Sequence, residues 1–294
     1  MNEKLASVLN TERESLRTLC RFIHANPELG LEEFQACAAL KEYLAQHGFE
    51  VRANAGGLET AFMGYCSSEG AAEDVPLLGF IAEYDALPGM GHGCGHNLIA
   101  TSAVAALLAA REILDKEKIP YRLCCMGTPA EEGKGGKILM LRNGAFDGIS
   151  AILEAHPGSK TTPDVGELSI KRCNVAFHGK AAHAAISPEK GCNALEAACD
   201  FICALKEWKK TLGSRERVHG ILTKGGDAPK IIPDYAEAFY YLRAPNEKYL
   251  APMQEHFTFL AEKAAADNRC TCELTWGKNS YKGMVFNHAL NAEL

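Results

Sequence analysis

The spacing of apolar positions changes several times along this chain. From Leu5 to Ala25 it predicts a helix, stopped by Asn26 and Pro27. A second predicted helix, Leu31 to His47, is closed by Gly48 at the position where helices favour a left-handed residue. Short, nearly continuous apolar runs then read as strands at Glu59 to Cys66 and Leu77 to Glu83. They are followed by a helix from His96 to Leu114, a strand from Tyr121 to Thr128, a helix from Gly135 to Asn143 and a strand from Ser150 to Ala155. Helices alternating with uniformly apolar strands predict an α/β layer with a mostly parallel central sheet.

Near residue 169 the order changes. Strand Ser169 to Gly179, helix Gly191 to Leu212, strands Val218 to Gly225 and Tyr235 to Ala244, helix Glu247 to Asp267 and strand Thr271 to Thr275 give β-α-β-β-α-β. That is the ferredoxin-like order of an inserted α+β domain. The remainder, Ser280 to Leu294, is too short for a domain and reads as the start of a return to the first one. The expected division is therefore 1–168, continued by 281–294, with 169–280 between them.

Charge and composition narrow the partners. A net charge of −6 with no clustered basic face argues against nucleic acid. The longest apolar run, Ile99 to Ala110, is interrupted by Thr101 and Ser102 and is too short to span a bilayer, so no membrane partner is expected. The charged N-terminal segment MNEKLASVLNTERESLRTLC lacks the apolar stretch of a secretory signal. Twelve cysteines scattered through apolar segments fit a reducing, cytoplasmic setting better than a disulfide scaffold. Most read as buried small hydrophobes, Cys270 and Cys272 among them.

The chemistry gathers at three strand ends, where open α/β sheets bind ligands. After LLGFIAE come Tyr84, Asp85 and the loop GHGCGHN; after YRLCCMGT come Glu131 and Glu132; after SAILEA comes His156. Cys94 and His96 stand at the start of a helix, where the dipole favours a thiolate and a neutral imidazole, the forms that bind metal. Adjacent Glu131 and Glu132 cannot point the same way on an irregular segment, so one can ligate while the other moves a proton. Asp85 is placed to fix a ligand imidazole from behind, and His92 reads as loop packing. A phosphate loop is disfavoured, because neither the dinucleotide nor the Walker spacing is present. A Cys94 nucleophile with His96 as its base would leave Glu131, Glu132 and His156 unexplained.

Taken in order, HANPELGLEE, AEYDALPGMGHGCGHN, GTPAEEGKGGK, EAHP, HGKAAHAA and IIPDYAEAFYYLRAP resemble the di-metal amidohydrolases and peptidases of the aminoacylase, hippurate hydrolase and aminobenzoyl-glutamate hydrolase family. The resemblance runs through nearly the whole chain. It implies a catalytic domain with an inserted lid, and hydrolysis of an amide bond in an N-acyl amino acid, an aminobenzoyl-glutamate-like compound or a dipeptide. Two divalent ions, zinc or manganese or else cobalt, are implied as cofactors. Cys94, His96, Glu132 and His156 become their ligands, with Cys94 as the bridge, and Glu131 becomes the general base. His183 matches a lid histidine that stabilises the oxyanion, and Arg243 matches a lid arginine that anchors a substrate carboxylate. A homodimer through the lid is implied as well.

Two departures from that family stand out. Lys230 occupies the place of a common Asn before the Ile-Pro pair. The family's catalytic domain also continues for roughly a hundred residues beyond the lid, a span of typical domain size, and supplies a final histidine ligand there. His288 stands too early to be that ligand. A C-terminally truncated member is thus expected, with weak metal affinity and little amidase activity. The alternative is a non-catalytic homologue that binds a small ligand or a partner subunit.

Overall fold

The computed structural model describes residues 3–163, 166–278 and 281–293. The chain divides into two compact units, Met1–Thr161 and Thr162–Leu294.

The first unit runs α1 (Glu3–Thr11), α2 (Arg13–Ala25), α3 (Phe34–Gln46), β1 (Glu50–Ala53), β2 (Phe62–Ser67), β3 (Leu77–Glu83), α4 (His96–Glu117), β4 (Arg122–Thr128), α5 (Gly136–Arg142) and β5 (Ala151–Leu153). The single N-terminal helix expected from periodicity is two helices that part at Glu12. The Glu12 carboxylate accepts hydrogen bonds from Ser15, Tyr43 and His47, which tie the break to α3. The sheet order is β1-β2-β4-β3-β5. β3 runs parallel to β4 and β5, while β2 is antiparallel to β1 and β4, so four strands share one direction.

Both faces of this sheet are covered, which is why its strands read as unbroken apolar runs. Leu123 and Cys125 of β4 join Ile23, Leu40, Leu44, Val104 and Leu107 on the side of α2, α3 and α4. Cys124 and Met126 point the other way, to Met63, Ile81 and Met140 of α5. By length and composition α4 could cross a membrane, since it extends three residues past its predicted end. It is instead the central core helix, with ten residues buried from His96 to Ala109.

The second unit contains β6 (Ser169–His178), β7 (Ala182–His183), α6 (Ala194–Trp208), β8 (Arg217–Lys224), β9 (Ile231–Ile232), β10 (Tyr235–Ala244), α7 (Glu247–Asp267), β11 (Thr271–Trp276) and α8 (His288–Asn291). The order β11-β6-β10-β8, antiparallel throughout, is ferredoxin-like. The helix expected from Gly191 begins at Ala194, because the Asn193 side chain accepts from the Leu195 and Glu196 amides and so caps it. One face of the sheet packs Cys173, Val175, Phe177, Ala238, Tyr240 and Leu242 against Phe201 and Phe257 of the two helices. The two-residue ribbon of β7 and β9 is an addition that apolar spacing does not predict.

Residues 281–284 lie along the start of β6: Ile170 donates to the Tyr281 carbonyl and Met284 to that of Glu167. Ser280 and Leu294, the ends of the segment expected to re-enter the first domain, lie outside the described residues. All twelve cysteines are free thiols, and burial pushes Cys124 and Cys173 up to about 12, as inert packing groups.

Candidate metal centre

Parallel strands β3, β4 and β5 end on one side of the sheet of the first unit, and their following loops carry the candidate residues. Between Cys94 and α4 stands Gly95 at φ 78°, a conformation open to glycine at little cost. A Cβ there would lie 3.0 Å from Pro157 Cγ, so the glycine also lets the His156–Pro157 loop close in.

Asp85 organises the centre. Its backbone carbonyl and Oδ1 accept from His96 Nδ1 at 2.8 and 3.0 Å, while Oδ2 accepts the Glu132 amide at 2.8 Å. Only acceptors face Nδ1, so that nitrogen carries the proton and Nε2 is turned into the site. Asp85 thus stands behind the ring of His96. His156 is arranged alike, with Nδ1 donating to the Pro157 carbonyl at 2.9 Å.

The donor atoms of Cys94, His96 and Glu132 all lie within 4.8 Å of one another, and so do those of Glu83, His96 and His156. His96 Nε2 is buried without a hydrogen-bond partner, 3.8 Å from Glu132 Oε1 and 3.5 Å from Glu83 Oε2. A buried acceptor facing two carboxylates is costly unless a proton or a cation sits among them. Sulfur, imidazole and carboxylate donors at this spacing fit a divalent transition ion. The four residues expected as ligands therefore meet around one atom, with Glu131 next in the chain. His92 takes no part in either group, and its Nε2 donates to the Ile23 carbonyl.

The helix dipole does not by itself give a thiolate at Cys94, contrary to expectation. A hydrogen bond to Glu132, then burial, then the charges of Glu132, Glu131 and Asp85 push the thiol up to about 11. At His96 burial favours the neutral ring, but the Asp85 hydrogen bond and charge, with Glu132 and Glu131, carry the net shift upward. The same anionic surroundings attract a metal cation, which would reverse the effect on the thiol.

Sequence reasoning misses Glu83. As the last residue of β3 it reads as no more than the end of an apolar run. A charged side chain closing a buried parallel strand is the available signal.

The segment HANPELGLEE braces the carboxylate loop. Glu28 accepts the Gln35 and Ala36 amides at the start of α3. Buried Glu33 accepts from Thr60 Oγ1 at 2.9 Å and from the Ala130 amide at 2.7 Å, which holds Ala130 at φ 59° just ahead of Glu131. Gly136 completes the loop, because a Cβ there would overlap the Pro129 carbonyl oxygen. Glu33→Ala is expected to cost about 1–3 kcal/mol in urea unfolding, since two buried donors lose their acceptor. An unchanged midpoint would show that the brace contributes nothing.

His183 and Arg243 belong to the second unit. His183 is exposed on β7, where its Nδ1 accepts the Ala185 amide at 3.3 Å. Arg243 is exposed near the far end of β10, with its guanidinium 5.8 Å from the Tyr241 ring centroid. β10 starts beside the ribbon that carries His183, so at ~3.3 Å per residue roughly 25 Å of strand separates Arg243 from that end. The unit does not bring the two side chains together. His288 lies in α8 of the same unit, outside both donor groups.

Residues 165–269 match the family described as peptidase dimerisation domain. The chain is 36% identical over 301 residues to the human Xaa-Arg dipeptidase, with 97% of this chain and 68% of that protein covered. It is 31% identical to a component of the p-aminobenzoyl-glutamate hydrolase of Escherichia coli, covering 92% of this chain and 59% of that one. In fold it resembles a Bacillus subtilis dinuclear metal-binding peptidase of the M20 family, with a TM-score of 0.66 and 22% identity over 93% of this chain and 76% of that one.

Proposed function

Since the chain belongs to the M20 peptidase family, whose members among its relatives are amide-bond hydrolases, we propose that it cleaves the amide of a dipeptide, an N-acyl amino acid or an aminobenzoyl-glutamate-like compound. The observation that carries this reading is the orphaned Nε2 of His96, ringed by Cys94, Glu132, His156 and Glu83, with the charge of Glu131 also acting on the ring. Cys94, His96, Glu132 and His156 would hold two divalent ions. Zinc, manganese and cobalt all suit a mixed sulfur, nitrogen and oxygen site. When bound, such ions supply Lewis acidity to the amide carbonyl and to the attacking water.

The remaining steps fall to the chain's own side chains. Glu131 takes a proton from the water and passes it to the departing amine. Asp85 keeps His96 in the tautomer that presents Nε2. His183 donates to the oxyanion, and Arg243 pairs with a substrate carboxylate. Residues 165–269 would join two copies, so lid residues could serve a partner's centre. Twelve unpaired thiols suit a reducing, cytoplasmic compartment.

The test is release of free amine from Xaa-Arg dipeptides, N-acetyl amino acids and p-aminobenzoyl-glutamate by the purified chain. Hydrolysis of one class should stop with chelator and return with zinc, manganese or cobalt. Hydrolysis indifferent to chelation would reject the metal reading, and bound metal without hydrolysis of any class would favour a non-catalytic homologue.

A further inference from the structure

Glu83 takes no part in the hydrolytic scheme, yet it is a buried carboxylate near the centre whose oxygens lack ordinary hydrogen-bond partners. It closes β3, its side chain is 1% exposed, and neither oxygen makes a hydrogen bond of normal geometry. Oε1 is ion-paired with the ammonium of Lys137, which reaches in from α5 and also lies 3.7 Å from Glu154. Oε2 faces His96 Nε2 at 3.5 Å, and Nε2 is itself without a partner. Two buried acceptors pointed at one another are a poor arrangement for a purely structural ion pair.

We propose that Glu83 is a further metal ligand, on the same ion as His96 and His156; this rests on the metal reading of the site. Nε2 has one lone pair and Nδ1 is committed to Asp85, so His96 serves a single ion. The donors of Glu83, His96 and His156 already lie within 4.8 Å of one another, a spacing that a shared ion can draw together. Glu132 and Cys94 approach Nε2 from the other donor group, so Glu83 supplies a carboxylate where the sequence motif had provided none. Lys137 is then the counter-cation of Glu83 that an ion displaces.

Binding of Co2+ to the whole chain, measured by competition with a chromophoric chelator and by its visible ligand-field spectrum, tests this without reference to turnover. Glu83→Gln should weaken one binding event by at least about 10-fold, the loss that even a residue behind a ligand produces, and change the spectrum. Lys137→Met should bind Co2+ at least as tightly as the parent chain, because removing the ammonium releases the carboxylate to the ion. Parent-like affinity in Glu83→Gln, or parallel loss in both variants, would overturn the inference and leave a structural ion pair. Should Glu83→Gln not fold, Glu83→Asp decides, since it keeps the charge but withdraws the carboxylate by one methylene. Weakened Co2+ binding in that variant supports ligation, and unchanged binding rejects it. A parent chain that takes up no Co2+ would sink the metal reading itself, whatever the variants do.

Discussion

Glu131→Gln is expected to lower turnover by about 10³-fold, within the range that general-base removal produces, while metal content stays at the parent value. Gln keeps the shape of the side chain but cannot accept the proton of the attacking water. Its neighbour should behave differently. The Glu132 carboxylate lies 3.8 Å from His96 Nε2 and within 4.8 Å of the Cys94 sulfur, so Glu132→Gln should lose metal and turnover together. Elemental analysis beside kcat separates the two outcomes. Metal loss in Glu131→Gln with retention in Glu132→Gln would mean that the two roles are reversed. The Glu132 amide donates to Asp85, the residue behind His96, which ties that backbone position to the centre.

Phe257→Ala should be the most damaging single change in the second unit, at about 3–5 kcal/mol. Phe257 is fully buried at the centre of that core. Its ring centroid lies 5.0 Å from Phe201, 5.5 Å from Tyr240 and 5.7 Å from Trp276, all at steep interplanar angles. Truncation removes from α7 a ring that touches α6, β10 and β11 together, and leaves a cavity that backbone on three sides cannot close. A loss of that size lowers the melting temperature of a unit this large by roughly 10–20 °C in calorimetry. Ile221→Ala on the open face of the sheet, where the side chain is 64% exposed, serves as the control and should change stability by less than about 0.5 kcal/mol. Equal effects of the two substitutions would mean that the core does not carry the stability of the unit.

The boundaries of β3, β10 and α7 are readable from the sequence to the residue. In β3 an apolar run meets a charge; in α7 Asn246 caps the first turn through the Lys248 amide. The α1–α2 break is not readable, because apolar periodicity continues across Glu12 and only the distant Tyr43 and His47 explain the interruption. A two-residue ribbon such as β7–β9 has no period to detect. In the site, Cys94, His96, Glu132 and His156 can be grouped because all follow strand ends, and Asp85 because it precedes the glycine loop. Glu83 cannot, since its importance lies in what it fails to bond. His183 and Arg243 carry no local signal, and their proposed roles rest on the family alone.

The arrangement of the second sheet has a consequence for biosynthesis. β6 lies between β10 and β11, yet it leaves the ribosome before either of them. Trp276 of β11 pairs with Cys173, so about 100 residues must be made before that register closes, roughly 5–20 s at ordinary elongation rates. Until β10 follows, more than 50 residues after β6 ends, Cys173, Val175 and Phe177 present one apolar face on a strand with no neighbour in the sheet. Such transiently uncovered apolar surface is prone to aggregate. Slowing translation between α6 and β10 would lengthen that exposure and lower the yield of folded chain, without any change in the sequence of the protein.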